Sequence, residues 1–409
     1  MKTYKGLTLL KLIHFSRAFF QSKSTAFFGV AFLTVFAITF VAGFWPFDIH
    51  PQNEVSWLKD RNGVNFHGQS MILSPALWNE PQKSPFQDGA ITVELKVRPT
   101  ADASGSDYIF CLDDGKTPEV TLFGQWRSHL MIRSRTDDPA LRKRGTSYQE
   151  MGLRNALLKN QEALITVTSG TAGSVIYING KLARSYPRYR LLSGSKEEPI
   201  RIILGNSPTG HSYWHGDISG LAVYNRVLTS EQVSRSYQEW ISGKTPLQSV
   251  NSGCMALYLF DEREGKVVHN RVSAGGELMI QEVFAPLQRI VLISPWLDFE
   301  WSLEYFQDIA VNIFGFMPFG FFCAAFMFKA GKFRRKNIYW ITALLGLGFG
   351  LVIELSQVYL PTRHSQLMDV IDNFAGTILG LILFHLVFDN KKTPAWTGRR
   401  LLGSMRNRD

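Results

Sequence analysis

The sequence predicts a multidomain α + β membrane protein that combines a bundle of four transmembrane helices with an antiparallel β-sandwich. Residues 26–45 contain no charge and are long enough to cross a hydrocarbon core of about 30 Å at about 1.5 Å per residue. Three more apolar segments of sufficient length follow near the other end, at residues 309–328, 338–360 and 370–388. Between these ends, residues 55–240 consist of short alternating runs separated by Gly, Pro, Asn and Asp, which is typical of a sandwich.

The basic residues of the chain predict how the helices cross the membrane. Residues 1–24 and 329–337 contain five Lys or Arg each, and residues 389–409 contain six against two Asp. The positive-inside rule therefore places both termini in the cytoplasm and residues 46–305 outside. The first helix is predicted to be a retained anchor, with a cleavable signal peptide as the alternative, because a long basic region precedes it and no clear small-x-small cleavage site follows it. The sequence pI of about 9.4 thus indicates topology rather than nucleic-acid binding.

The predicted organisation has six parts. In order, they are a cytoplasmic basic N-terminus (1–24), transmembrane helix 1 (25–46), the extracytoplasmic sandwich (53–245), a strand-rich stalk with an interfacial aromatic segment (246–306), a membrane domain with transmembrane helices 2–4 (307–389) and a cytoplasmic basic tail (390–409). The strand-like runs at residues 255–260 and 289–293 leave two alternatives open, since they could complete the sandwich or form the stalk. The aromatic residues predicted to lie at the outer membrane interface are Trp296, Phe299, Trp301, Tyr305 and Phe306.

The strands of the sandwich are predicted from alternation. Residues 91–97 alternate apolar with polar side chains, as a half-buried strand does. Similar runs lie at residues 108–112, 119–123, 129–133, 163–168, 175–178, 202–204 and 218–224. The pair Asn179 and Gly180 predicts a two-residue hairpin turn. A helix is predicted to follow Thr229, which can form a capping box with Gln232.

Several of these runs resemble a known family. Residues 91–99 (ITVELKVRP), 175–181 (VIYINGK), 204–206 (LGN) and 214–228 (WHGDISGLAVYNRVL) resemble the strand signatures of laminin-G-like, concanavalin A-type jelly rolls. The resemblance implies that the sandwich binds a carbohydrate or a protein, and Asp217 is expected to bond backbone at the start of a strand. Related glucanases place their catalytic carboxylates on one strand as Glu-x-Asp-x-x-Glu. No such run occurs here, so hydrolysis by the sandwich is not expected.

Two short segments of the sandwich are candidate ligand sites. Asp113 and Asp114 could bind Ca²⁺, whose ligands are hard oxygens, although a solvated turn is the alternative. His211, Tyr213 and Trp214 are candidate glycan-contact residues, since aromatic rings stack on sugar faces. The alternatives for this segment are a metal site that includes His215 and a loop that only packs on the sandwich. No cofactor is predicted.

The three cysteines of the chain also leave alternatives open. Cys111 and Cys254 both lie in the exported region and could form a disulfide, whereas Cys323 lies in a predicted span and is expected to act as a small apolar residue. No Cys/His spacing suggests zinc, so no metal site is predicted from them.

Polar residues in the last three predicted spans form a candidate membrane site, because charged groups in hydrocarbon are costly and usually functional. They are Asp308, Asn312, Glu354, Gln357, Asp369 and Asn373, with Arg363 in the loop between the last two helices. Small residues continue these polar faces at helical spacing, at Gly315, Gly346, Gly350, Gly376 and Gly380, and they allow helix backbones to approach closely. The polar ends are therefore predicted to converge in the outer half of the membrane. Arg363 is predicted to pair with Asp369 or Glu354.

The order and spacing of these motifs resemble the VanZ-like family, named for a teicoplanin-resistance protein. The matching pieces are Asp308-x-x-x-Asn312, Phe316-Met317-Pro318-Phe319-Gly320, Glu354-x-x-Gln357, Pro361-x-Arg363 and Asp369-x-x-x-Asn373-x-x-Gly376-x-x-x-Gly380. The run from Trp45 to Asp48 resembles the end of the family's first helix, so the sandwich is expected to be an insertion between helices 1 and 2. Asp372 is an additional acid with no assigned role. The resemblance implies a bacterial cell-envelope protein of the cytoplasmic membrane and, in some members, glycopeptide tolerance.

Three functional hypotheses remain open. In the first, the sandwich binds an envelope polysaccharide or protein, and the helices engage a membrane lipid or a lipid-linked cell-wall precursor. In the second, Glu354 and Asp369 form a hydrolase or transferase site for a lipid-linked sugar, because carboxylates can act as acid and base. In the third, Glu354, Arg363 and Asp369 form a buried ion-pair network that only holds helices together, and the chain is an anchor for the sandwich. Replacing Glu354 by alanine separates these hypotheses through turnover, ligand binding and stability.

Overall fold

The computed structural model describes residues 18–388 except 78–85, 87–88, 116–119, 144–145, 193–199, 244–252, 273–275, 296–302 and 364. The described residues form two compact units. Among the described residues, the helical unit contains those within 18–47, 291–358 and 365–388, and the sandwich unit contains those within 48–290 and 359–363. The basic segment before residue 18, the basic tail, and the aromatic residues Trp296, Phe299 and Trp301 lie outside the described residues.

The helical unit contains four helices that are long and apolar enough to cross a membrane, which confirms the four predicted spans. They are α1 (Thr25–Phe44), α3 (Leu303–Ala330), α4 (Arg335–Gln357) and α5 (Leu367–Phe388), while α2 (Ser230–Ile241) belongs to the sandwich unit. Helix α1 begins where the Ser24 hydroxyl accepts a hydrogen bond from the Phe27 N–H at 3.3 Å. This bond satisfies one of the N–H groups that a helix start leaves without an intrahelical partner.

Helix α5 packs directly on the backbone of α3 through two glycines. A Cβ atom at Gly376 would lie 2.3 Å from the Ile313 carbonyl oxygen, and one at Gly380 would lie 2.2 Å from the Met317 carbonyl oxygen. Only glycine allows this approach, as expected for helices that pack without a hydrophobic driving force between them. Gly315 does not take part in such a contact, because nothing lies within 4 Å of its Cβ position.

The sandwich unit consists of two antiparallel sheets, which confirms the predicted fold class. The strands are β1 (Val55–Trp57), β2 (Val64–Phe66), β3 (Ile72–Leu73), β4 (Ile91–Pro99), β5 (Ala103–Asp113), β6 (Thr121–Arg127), β7 (His129–Arg135), β8 (Tyr148–Leu153), β9 (Ala163–Gly170), β10 (Gly173–Ile178), β11 (Lys181–Tyr186), β12 (Arg201–Leu204), β13 (Gly216–Tyr224), β14 (Cys254–Tyr258), β15 (Val267–Val268) and β16 (Leu278–Ile280). The first sheet has the order β1-β2-β13-β4-β9-β10-β11, with β14 also paired to β13. The second has the order β15-β16-β3-β12-β5-β6-β7-β8.

Local signals in the sequence set several connections. Strands β10 and β11 form the predicted two-residue hairpin, with Asn179 and Gly180 at φ angles of 51° and 74° between the paired residues Ile178 and Lys181. The predicted capping box at Thr229 and Gln232 is present at the start of α2. Residues 254–280 provide strands to both sheets, because β14 pairs with β13 and β16 pairs with β3.

The two sheets enclose one large apolar core, and each sheet has a second apolar cluster on its outer face. Cys111 belongs to the outer cluster of the second sheet, and Cys254 belongs to the outer cluster of the first sheet, beneath α2. Packed sheets lie about 10 Å apart, whereas disulfide-bonded Cα atoms lie within about 7 Å. The two thiols are therefore not joined by a disulfide. Burial raises the pKa of the Cys254 thiol to about 12.

Candidate functional site

The predicted membrane site spreads over three helices with different degrees of burial. Glu354 and Asn373 are each only 2% exposed. Asp308 is exposed near the start of α3, and Asn312 is half-buried one turn further along. Asp369 is half-buried in the first turn of α5. Arg363 is half-buried in the loop that follows α4, and its predicted pairing stays a prediction.

Two polar side chains of α4 hold neighbouring backbone. The Glu354 carboxylate accepts a hydrogen bond from the Gln366 N–H at 3.0 Å, directly before α5 begins. A carboxylate is stabilised there by the partial positive charge of a helix N-terminus. The Gln357 amide donates to the Gly43 carbonyl oxygen at 2.6 Å and so ties α4 to the end of α1.

The contact between α4 and α5 brings a buried amide next to a second buried acid. A Cβ atom at Gly350 would lie 3.1 Å from the Asn373 Cβ, so Asn373 faces α4 one turn from Glu354. Asp372 is 3% exposed. It is four residues before Gly376 and so lies on the same face of α5, and Gly376 contacts α3. Within the described part of the chain, Asp372 Oδ2 and Asn373 Oδ1 are buried without a hydrogen-bond partner. Unpaired buried oxygens are costly, so they are typical of functional positions.

Trp214 is not available as the glycan contact that the sequence predicts. Its side chain is 0% exposed, and its indole N–H donates to Gln125 Oε1 at 2.8 Å. Tyr213 packs against Phe284 with ring centroids 6.5 Å apart, and burial raises the pKa of its hydroxyl. The segment is therefore packed on the sandwich, because its aromatic rings fill gaps between strands rather than face solvent. His211 is half-buried beside them.

The candidate calcium turn is occupied by protein contacts. Arg135 binds the Asp114 carboxylate with both of its terminal nitrogens, at 2.9 and 3.3 Å. Asp113 is 1% exposed and accepts a hydrogen bond from Gln288 Nε2 at 3.2 Å, and burial raises the pKa of its carboxyl. Among the described residues, no group of three or more His, Cys, Asp and Glu side chains is arranged to hold a metal ion.

Two buried carboxylates of the first sheet have structural roles that the sequence did not predict. Asp217 accepts from Arg61 at 2.6 Å, Asn65 at 2.7 Å and Arg98 at 2.9 Å, rather than from backbone. Glu94 is one of the polar residues in the alternating run 91–97, which the sequence predicts to be a half-buried strand. Helix α2 covers the side of the sheet on which Glu94 lies, and Glu94 is 0% exposed.

Glu94 Oε2 accepts three hydrogen bonds in this covered position. The donors are Tyr224 OH at 3.1 Å, Ser236 Oγ at 2.8 Å and Trp240 Nε1 at 3.0 Å. Burial raises the pKa of Glu94 despite these bonds.

An open groove of about 550 Å³ lies on the second sheet along β6, β7 and β8, beside β11 of the first sheet. Trp126 is 46% exposed at one end, with its ring centroid 5.5 Å from that of His129. Arg133 and Glu150, paired across β7 and β8, form an ion pair at 2.7 Å that faces away from the core. Tyr186 closes the other side, where its hydroxyl accepts from the Gly152 N–H at 3.1 Å.

The groove is basic, because Arg133, Lys143, Arg154 and Arg184 line it together with one acid, Glu150. Burial alone would raise the pKa of Glu150, but hydrogen bonds from Lys143 at 2.9 Å and Arg133 outweigh it, and the pKa is lowered. The guanidinium of Arg184 stacks over the Tyr186 ring at 5.0 Å. Sequence reasoning missed the groove, although Trp126 directly before the Arg127-Ser128 turn of the β6–β7 hairpin was a usable signal.

Two family models match separate parts of the chain. The VanZ/LLP1 model matches residues 254–388. The model of the concanavalin A-like lectin/glucanases superfamily matches residues 77–234. Together they confirm the predicted combination of VanZ-like helices with a concanavalin A-like sandwich. The VanZ/LLP1 match starts at β14 and so includes the last strands of the sandwich unit as well as α3, α4 and α5. A comparison with curated proteins gives no match.

Solved structures resemble the chain with low sequence identity and low TM-scores. A Bacteroides ovatus protein proposed to bind carbohydrate has 15% identity over 56% of this chain and 62% of its own, with a TM-score of 0.38. A pentraxin from Limulus polyphemus has 15% identity over 44% of this chain and 83% of its own, with a TM-score of 0.34. A sialidase from Trypanosoma rangeli has 11% identity over 46% of this chain and 30% of its own, with a TM-score of 0.37. The chain thus spans less than two thirds of two of these proteins, and such scores do not bear on function.

Proposed function

We propose that this VanZ-like membrane protein with a concanavalin A-like sandwich is a bacterial cell-envelope protein whose exported sandwich binds a glycan in the groove of the second sheet. The observation that supports this most is the exposed Trp126 ring in the same groove as the Arg133–Glu150 ion pair. A sugar ring can stack its apolar face on an indole while its hydroxyl groups bond to charged side chains. The groove volume lies within the usual range of small-ligand sites, about 300–1,000 Å³.

The family names support a glycan more than a protein partner, since the matched superfamily is described by its lectins and glucanases. The groove itself also favours a polar ligand. Its ion pair and the Arg184–Tyr186 stack offer donors and acceptors along the whole length. The sandwich is proposed to bind without hydrolysis, because Glu150 is the one carboxylate among the described residues that line the groove, and Arg133 and Lys143 engage it.

The glycan proposal is tested with the full-length protein in detergent, applied to an array of bacterial envelope polysaccharides and peptidoglycan fragments. Trp126→Ala should weaken binding at least tenfold, because the stacking surface is lost. Val227→Ala is the matched control, since Val227 is also 46% exposed on the sandwich but lies outside the groove. Binding that is unchanged in Trp126→Ala, or absent from the whole array, would contradict the proposal.

For the helical unit, we propose that the polar cluster around Glu354, Asp372 and Asn373 engages the head group of a lipid-linked saccharide in the outer leaflet. Two buried oxygens in this cluster accept no hydrogen bond from the described residues, on Asp372 and Asn373. A ligand that donates hydroxyl protons would satisfy them. Catalysis of transfer or hydrolysis at Glu354 is the second candidate, favoured by the burial of this carboxylate beside a helix N-terminus.

Asp372→Asn separates these candidates from a purely structural role. The substitution keeps the shape of the side chain and removes its charge, so it should lower retention of a radiolabelled lipid-linked cell-wall precursor about tenfold without lowering thermal stability. If the site is catalytic, Glu354→Gln should abolish turnover of the precursor. If the site is not catalytic, Glu354→Gln should abolish only binding of the precursor. Equal precursor retention by wild type and both variants would leave the helices as an anchor only.

The same proposal extends to sidedness and to antibiotic response. The proposed orientation has both termini in the cytoplasm and the sandwich outside, and it is supported by the basic residues from Lys329 to Lys336 between α3 and α4. The VanZ resemblance adds glycopeptide tolerance as a proposed consequence. Deleting the gene should then lower the minimal inhibitory concentration of teicoplanin, and re-expression should restore it. A deletion without effect on teicoplanin would remove this part of the proposal while leaving glycan binding testable.

A further inference from the structure

A second groove lies in the helical unit, between α4 and α5. Its volume is about 360 Å³, and most of its lining side chains are apolar. The lining side chains are Tyr339, Trp340, Ala343, Ile378, Leu381, Ile382 and His385. Trp340 is 64% exposed and Ile382 is 48% exposed, so the groove opens to the side of the helix pair. It lies at the end of α4 that is opposite to Glu354.

One end of the groove contains two residues with polar side-chain groups, Tyr339 and His385. Tyr339 OH and His385 Nδ1 are 2.8 Å apart, and this bond joins α4 to α5. The other end, at Ala343 and Ile378, is bounded by apolar atoms alone. The groove therefore has a polar end and an apolar end, which matches an amphipathic ligand.

The polar end is adjacent to a basic segment. Arg335 and Lys336 are four residues before Tyr339 and Trp340, so they lie one turn away on the same face of α4. Lys336 is exposed, and Arg335 stacks over the Phe328 ring at 5.8 Å. No acidic residue lies in the first turn of α4. A tryptophan near basic side chains is typical of the level at which lipid head groups lie.

We propose that this groove binds a phospholipid with an anionic head group. Its phosphate lies against Arg335 and Lys336, and one acyl chain fills the groove toward Ile378. The inference goes beyond the glycan and precursor sites, and it needs only that the four helices span a membrane. Basic residues near a membrane surface attract anionic lipids by about 1 kcal/mol each.

Charge argues against a second copy of the chain as the occupant. In a two-fold dimer, both subunits use the same surface patch. Such a dimer would bring the basic segments that contain Arg335 and Lys336 toward each other, and like charges that are partly desolvated repel. A lipid phosphate instead complements these side chains.

The test titrates full-length protein in a neutral detergent with phosphatidylglycerol or phosphatidylcholine and counts bound lipid by native mass spectrometry. Wild type should bind phosphatidylglycerol at least tenfold more tightly. Lys336→Gln should weaken phosphatidylglycerol binding about fivefold, which is about 1 kcal/mol, and leave phosphatidylcholine binding unchanged. Ala343→Trp should fill the groove and weaken both lipids. Ile382→Trp gives a second test if Ala343→Trp unfolds.

Leu344→Trp is the matched control, since Leu344 is 63% exposed on the same helix but does not line the groove. It should bind both lipids as wild type does. Lys23→Gln is the charge control, because Lys23 precedes α1 rather than α4. Equal affinity for the two lipids, equal losses in Ala343→Trp and Leu344→Trp, or a dimer that Ala343→Trp dissociates would overturn the proposal. None of these outcomes alters glycan binding by the sandwich.

Discussion

Asp217 of the sandwich and Asp372 of the helices are equally buried, each 3% exposed, but their surroundings differ. Asp217 receives hydrogen bonds from two arginines and an asparagine, and this full satisfaction offsets the cost of removing a charge from water. Asp372 Oδ2 accepts none from the described residues. A buried acid with all its partners supplied by the fold indicates a structural role, whereas the open acceptor of Asp372 is the feature on which the proposed ligand site rests.

The two units also use glycine differently. In the sandwich, Gly180 and Gly205 have φ angles of 74° and 79°, which other residues rarely adopt. In the helices, Gly376 and Gly380 have ordinary helical geometry and are required by the close approach of another backbone. The sandwich glycines therefore shape turns, and the helical glycines set how close the helices lie. The predictions below test both contrasts.

The largest effect is expected at the helix contact. Gly380→Ala places a Cβ 2.2 Å from the Met317 carbonyl oxygen and 2.6 Å from the Phe321 nitrogen, so the backbones must separate. We expect a loss of about 3 kcal/mol, measured as a lower melting temperature of the helical unit in detergent. Gly315→Ala is the control, because its Cβ meets nothing within 4 Å and alanine favours a helix. Equal losses in both variants would show that space at the contact is not the cause.

A smaller loss is expected at the satisfied acid of the sandwich. Asp217→Ala leaves Arg61 and Arg98 without their shared carboxylate, and these side chains are 34% and 32% exposed. Water therefore replaces part of the lost interaction, and we expect about 2 kcal/mol rather than the larger cost of a fully buried pair. Chemical denaturation monitored by tryptophan fluorescence measures it. Asp60→Ala, an exposed neighbour of Arg61, should change stability very little.

Glu94 gives a pH-dependent effect. Its pKa is raised by burial in the folded state from an ordinary value of 4.5, so the folded state binds the proton more tightly than the unfolded state. The contribution of Glu94 to stability is thus fully present below that ordinary value and is lost as the pH rises through the raised pKa. The slope should approach about 1.4 kcal/mol per pH unit in this window.

Unfolding measured between pH 4 and pH 8 tests the sign of this effect. Glu94→Gln should remove this part of the slope, because the amide does not titrate. Glu264→Gln, at an exposed position of the same unit, should retain it. A wild-type slope of the opposite sign that Glu94→Gln abolishes would show that Glu94 is stabilised as a carboxylate.

No loss of stability is expected from probes of topology. Cysteines at Ala172 in the β9–β10 turn and at Asn337 in the first turn of α4 occupy exposed positions, and the three natural cysteines are buried. In intact cells, a membrane-impermeant maleimide should label Ala172→Cys and spare Asn337→Cys. Permeabilised cells, in which both should react, provide the control. The reverse pattern would invert the proposed orientation.

Most of the fold could be predicted, and two of the missed strands share a physical cause. Alternation identified β4, β9, β10 and β13, whose apolar residues face one large core. It missed β11, because this edge strand is almost entirely exposed and its polar residues show no alternation. It also missed β8, whose pairing with β7 rather than an apolar pattern defines it. Edge strands depend on backbone hydrogen bonds to a neighbour, and the sequence does not encode that neighbour locally.

The sequence by itself determined the four helices, the antiparallel sandwich and the Asn179-Gly180 hairpin. Length without charge, alternation and turn chemistry are properties of consecutive residues, and they need no knowledge of what lies across the core. Only the tertiary structure decided that Glu94 and Trp214 are buried while Trp126 is exposed. Burial of a side chain depends on which element covers its face. For Glu94 that element is α2, which joins its sheet from more than a hundred residues further along the chain.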